Sequence, residues 1–174
     1  MTVLATLMLP ILAAYLPSSP DLGKAAGRCR AGEAGPAFIV QPIGLKDREG
    51  TFKLELYPAT ERDFLQDDNI LIMEGKPFAR VEVAVPKTGP IAICIRAPAP
   101  GSYALSLLHD RDGNRKFGWT VDGIGFSANP KLGWSKPKVA RSTVVAGPGI
   151  TTVRIVLNYR SGFGVAPLKN GGGG

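Results

Sequence analysis

The only histidine of the chain, His109, sits in a short stretch that also holds two aspartates and an asparagine: "LLHDRDGNRKFGW", Leu107 to Trp119. Three readings suit these residue types. An imidazole is a general base when a carboxylate orients it, and Asp110 or Asp112 would serve, giving a small hydrolase or isomerase. Asp110, Asp112 and Asn114 are spaced two apart, the D-x-D-x-N opening of a calcium loop, in which a bending backbone aims alternate oxygens at one cation. The third reading is a polar turn in which Asp and Asn cap their own backbone and Gly113 takes a positive φ. The turn is the favoured reading. No GxSxG elbow or comparable nucleophile context surrounds Ser106, Ser127 or Ser135. A calcium loop wants glycine at its sixth position and a bidentate glutamate at its twelfth. This chain has Arg115 and Val121 there, and Arg111 and Lys116 add positive charge beside any cation. A single histidine excludes a multi-histidine metal enzyme, and no cofactor is expected.

The next stretch, "WTVDGIGFSANPKLGWSKPK" from Trp119 to Lys138, holds both tryptophans, Phe126 and glycines at 123, 125 and 133. Glycines beside aromatics let a loop fold flat and present its rings, which suits sugar stacking or an apolar partner. The same rings could instead fold back and plug an open end of the domain. If they face outward, Trp119, Phe126 and Trp134 supply apolar contact, while Arg111, Arg115, Lys116, Lys131 and Lys136 attract an anionic partner.

These loops need strands to hold them. "TFKLELY" (Thr51 to Tyr57) alternates strictly, with Phe52, Leu54 and Leu56 on one face and Lys53 and Glu55 on the other, as in a half-buried strand. "AFIVQPIGL" (Ala37 to Leu45), "RVEVAV" (Arg80 to Val85), "IAICI" (Ile91 to Ile95) and "SYALSLLH" (Ser102 to His109) read as further strands. Two more are expected around Val139 to Val145 and Thr151 to Asn158, while Asp110 to Lys136 shows no regular period. "PATERDFL" (Pro58 to Leu65) fits a single helical turn or a polar loop. Glycine (22) and proline (15) punctuate the chain at the spacing of turns. About seven strands with turns every ten residues or so, and no convincing helix, describe an all-β fold, a single antiparallel β-sandwich of Ig-like architecture.

The 174 residues suffice for one domain of normal core size. The first sixteen, "MTVLATLMLPILAAYL", carry no charged side chain; the run is short for a membrane span and Pro10 interrupts it. It fits the hydrophobic part of a secretory signal, although a basic start is lacking. Residues 1–27 are therefore assigned to a leader, 28–168 to the sandwich and 169–174 to a flexible glycine tail, with no spanning segment in the mature chain. Export into the periplasm or beyond makes the two cysteines informative, because a lone pair in an oxidising compartment tends to close. In "IAICIR" the isoleucines share one face and Cys94 the other, where Cys29 could be stapled, although two free thiols remain an alternative. Such a bridge would close a loop of roughly 66 residues, for which chain entropy gives about 4 kcal/mol. The net charge of +7 suggests attraction to anionic surfaces. In an exported protein nucleic acid is not an expected partner.

Several of these motifs together resemble the bacterial domain family DUF2141. The resemblance runs over roughly Phe38 to Tyr159. It is carried by a P-G-x-Y strand opening (Pro100, Gly101, Tyr103), then H-D-x-x-G-N-x-K (His109, Asp110, Gly113, Asn114, Lys116), then G-F-S-x-N (Gly125, Phe126, Ser127, Asn129). The usual glycine after the asparagine is Arg115 here. The resemblance implies an exported, prealbumin-like sandwich and assigns no chemistry, since fold does not imply function. The functional expectation is an exported, non-enzymatic, envelope-associated binding or accessory module whose partner is an anionic envelope glycan, a lipid head group or an envelope protein. A calcium-stabilised domain using Asp110, Asp112 and Asn114, and a small hydrolase using His109, are the alternatives.

Overall fold

The computed structural model describes residues 15–168. Residues 1–14 of the expected leader and the glycine tail, 169–174, lie outside the described residues. The elements are α1 (Lys24–Gly27), β1 (Ala37–Ile43), β2 (Thr51–Pro58), α2 (Asp68–Met73), β3 (Ala79–Ala84), β4 (Ile93–Arg96), β5 (Gly101–Asp110), β6 (Gly123–Phe126), a 3₁₀ turn (Val139–Arg141), β7 (Thr143–Ala146), β8 (Ile150–Val156), β9 (Asn158–Ser161) and β10 (Gly164–Pro167).

Two sheets face each other. The smaller has the order β4-β1-β8, and the larger runs β10-β9-β6-β5-β2-β3 with β7 also paired to β5. The fold is the expected β-sandwich, with ten described strands in place of about seven. Every pairing is antiparallel except β1 with β8, which run parallel. The extra strands, β6, β9 and β10, are four residues each and too short for a period to show. Strand alternation places the core. Phe52, Leu54 and Leu56 of β2 and Leu105 and Leu107 of β5 meet Phe38, Ile95 and Ile155 of the small sheet, all fully buried.

The outer face of the large sheet is not the plain wet face that β2 suggests. Its upper part is covered by a second apolar cluster, in which Tyr57, Phe78 and Ala104 meet Phe64 and Leu71. Leu71 belongs to α2, a six-residue helix too short for its pattern to stand out. Residues 15–27, assigned to the leader from sequence, also contact the sandwich. Arg80 donates its backbone N–H to the Gly23 carbonyl and its guanidinium to the Ser19 carbonyl, so this segment lies along the β3 edge. Just beyond it, Cys29 is bridged to Cys94 on β4, with their Cα atoms 6.0 Å apart. Among the described residues no helix is long and apolar enough to cross a membrane.

Candidate functional site

His109 is the fourth residue of the inward series Tyr103, Leu105, Leu107, His109 on β5, and it is fully buried. Its Nδ1 lies 2.7 Å from the Tyr159 hydroxyl and its Nε2 lies 2.8 Å from the Glu49 carbonyl. The Glu49 carbonyl can only accept, so in the neutral ring Nε2 carries the proton and Nδ1 accepts from the Tyr159 hydroxyl, whose oxygen accepts the Lys46 N–H. Burial pushes the imidazole below its ordinary pKa, and Asp47, 3.9 Å away, does not offset it. Burial likewise pushes the Tyr159 phenol up to about 12. Asp47 is itself held below the usual carboxylate range: burial opposes its charge, and hydrogen bonds from Arg111 and the Glu49 backbone outweigh that. The ring is neutral, both nitrogens are engaged and no edge meets solvent. His109 cross-links β5, β9 and the turn before β2, which leaves it no open face for a substrate.

Asp110 leaves β5 on the other side and organises the loop. Its two oxygens accept the backbone N–H groups of Gly113 and Arg115. Asp112 accepts from the backbone and side-chain amides of Asn114. Asp122, which the spacing of the loop gave no reason to single out, accepts from Arg111 and Gly118. All six carboxylate oxygens therefore serve as turn acceptors, as the capping reading expects. One ligand atom from each of Asp110, Asp112 and Asp122 lies within 4.8 Å of the others, while Asn114 is turned to Asp112. Arg115 holds φ 65°, so the position keeps the left-handed conformation that favours glycine.

The remaining signature residues also act on the fold. The Tyr103 hydroxyl donates to the Ala99 carbonyl, locking the turn before β5. Ser127 accepts the Leu105 N–H and donates to the Ser142 carbonyl. Asn129 accepts from Val156 N–H and donates to the Arg154 carbonyl, tying this loop to β8 of the other sheet. A Cβ on Gly125 would sit 2.6 Å from the Ile155 side chain, so only glycine lets β6 approach β8.

The most apolar of the open hollows among the described residues lies elsewhere, on the outer face of the large sheet. A cavity of about 400 Å³ is floored by Leu108 of β5 and Ile124 and Phe126 of β6, with Lys53, Glu55 and Ser106 beside them. Leu132 and Val165 close its sides, and Phe117 and Trp134 form an aromatic rim, Trp134 being 86% exposed. A second hollow of about 310 Å³ shares Phe126, Leu132 and Val165 and continues over Lys131 and Pro167 of β10. Together they make one groove. Behind it, Glu55 is engaged by Arg80 at 2.8 Å and by the Tyr57 hydroxyl at 2.8 Å, and Arg80 also pairs with Asp68 at 3.0 Å.

The expected contact residues separate in the fold. Phe126 is buried in the groove floor, Trp134 stands at its rim and Lys131 lines its extension. Trp119 and Lys116 do not line it; Trp119 stacks under the Arg160 guanidinium, 4.8 Å from the ring centre. Arg115 pairs with Glu82. The plugging and presenting readings thus divide the aromatics between them. The floor residues Leu108 and Ile124 and the cation Lys53 escaped sequence reasoning. The one signal for them was Leu108, an apolar residue on the nominally wet face of its strand.

A two-sheet all-β sandwich, whose signature residues cap turns, close-pack glycine and cross-link strands, is the class of protein defined here. Residues 40–154 match the family described as "Uncharacterized protein conserved in bacteria (DUF2141)", and the chain belongs to that family. No curated protein and no solved structure matches the chain.

Proposed function

We propose that this protein is an exported, non-enzymatic, envelope-associated binding or accessory module, and that the groove on the outer face of its large sheet is where the partner sits. The observation that carries this reading is the groove itself: an apolar floor, an exposed aromatic rim and few polar groups, in the size range of small-molecule sites. Exposed rings that adjoin an apolar floor form a contiguous apolar patch, the kind of surface that marks an interaction site. The disulfide supports an oxidising compartment. Of the expected partners, an envelope lipid or an apolar segment of an envelope protein suits the floor better than a glycan, which needs more hydrogen-bonding groups than Ser106 and Ser135 offer.

The test uses Trp119→Phe protein, so that Trp134 alone reports. Envelope lipids, anionic glycans and lipid head groups are titrated while its fluorescence is followed. Saturable quenching or enhancement, lost in Ile124→Asp, is the expected result. A panel that leaves Trp134 unchanged overturns the reading.

The three-carboxylate cluster favours a second reading, a calcium-stabilised domain. Melting with calcium and with chelator decides it. The turn reading expects no shift, because the carboxylate oxygens are already satisfied.

A further inference from the structure

We propose that the groove takes a single-chain anionic amphiphile, an acyl chain headed by a carboxylate or phosphate, with the head at Lys53 and Lys136. The inference rests on the reading of the groove as the partner site. Register fixes its direction. Lys53, Leu108, Ile124, Asn158 and Pro167 occupy one cross-strand row on β2, β5, β6, β9 and β10. Four strand spacings make that row roughly 19 Å long. It is charged at the β2 end and apolar in the middle, and the second hollow prolongs it to the β10 edge. An apolar slot running away from a cationic end has the polarity of an extended chain with one ionised head.

The charges at the β2 end favour an anion. Two cations, Lys53 and Lys136, and one carboxylate, Glu55, line the cavity there, and Arg80 already pairs with Glu55. Arg80 and the Tyr57 hydroxyl hold Glu55, while the Lys53 ammonium is 3.6 Å from it and gives one hydrogen bond, 3.0 Å long, to the Arg115 carbonyl. An ammonium has three donors, so Lys53 keeps capacity for a ligand oxygen. Lys136 gives one hydrogen bond to the Phe64 carbonyl and is otherwise exposed. A sugar would find two hydroxyls, Ser135 on the loop and Ser106 on the floor, and the Ser106 hydroxyl already points to Glu55 at 3.5 Å.

The experiment titrates the disulfide-bonded Trp119→Phe protein with laurate, monododecyl phosphate and dodecanol, each below its micelle concentration, reading Trp134. Both anions should bind at least about tenfold tighter than dodecanol. Lys136→Met, at an exposed position, should narrow that gap without weakening dodecanol, and Lys53→Met should narrow it further. Laurate and dodecyl phosphate separate a carboxylate source from a phosphate source. Equal binding of all three probes overturns the anionic head while leaving the groove as a site. No binding of any of the three, with another envelope molecule still moving Trp134, overturns the acyl chain. Silence of Trp134 toward every compound overturns the groove reading itself.

Discussion

Replacing His109 with alanine should destabilise the protein severely, for reasons that have nothing to do with catalysis. The ring is fully buried, 5.2 Å from the Phe52 ring centre and edge-on to Tyr159 at 5.9 Å. Alanine leaves the Tyr159 hydroxyl proton without an acceptor, which costs about 1–3 kcal/mol. It also opens a ring-sized cavity, for which large-to-small changes cost about 2–5 kcal/mol, relaxation deciding where in that range. A total near 3–8 kcal/mol is a large part of the stability of an ordinary domain, roughly 5–15 kcal/mol. The melting temperature should fall by about 10 °C or more.

The same site predicts a pH signature. Burial lowers the His109 pKa in the folded state, so between that value and the ordinary one near 6.5 the unfolded chain binds more protons. Stability therefore rises with pH through this window. It is fully present above about pH 6.5 and is lost as pH falls below, with a slope of at most about 1.4 kcal/mol per pH unit from this one group. Urea titrations of the wild type and His109→Ala from neutral to mildly acidic pH measure both effects. A loss under about 1 kcal/mol, or an unchanged slope in the variant, would refute the account of His109 as a neutral structural cross-link.

Reducing the Cys29–Cys94 bridge, or changing both cysteines to alanine, should cost about 4 kcal/mol from chain entropy and free residues 15–27 from the β3 edge, which hydrogen exchange at Gly27 would report. Gly125→Ala should cost at least about 1–3 kcal/mol in denaturant unfolding, because its Cβ meets both the Ile155 side chain and the Val156 carbonyl at 2.6 Å. Arg115→Gly relieves a left-handed backbone worth about 1–2 kcal/mol and loses a partly exposed pair with Glu82 worth about 0–1 kcal/mol. A modest gain in melting temperature is expected, and a clear loss would show that the ion pair dominates.

Sequence alone determined the all-β class and the central strands. Strict alternation in Thr51 to Tyr57, with Tyr103, Leu105 and Leu107 sharing one face of Ser102 to His109, was sufficient, since a period of two with one apolar face has no other stable home than a sheet against a core. It also pointed to the cysteine pair, through the opposite facing of Ile93 and Cys94, and to the polar loop as a turn. Tertiary structure decided what local pattern does not encode. His109 and Tyr159 are 50 residues apart, and only the pairing of β5 with β6 and of β6 with β9 brings them together. Asp122 joins Asp110 because the loop between them closes on itself, a matter of backbone path rather than spacing. The groove was hidden most completely. Lys53 and Leu108 look like outward residues on two separate strands, and Ile124 and Trp134 like residues of an aperiodic loop. They become one surface only when β2, β5 and β6 are laid side by side in one register, and a register is a property of paired strands that no single strand carries.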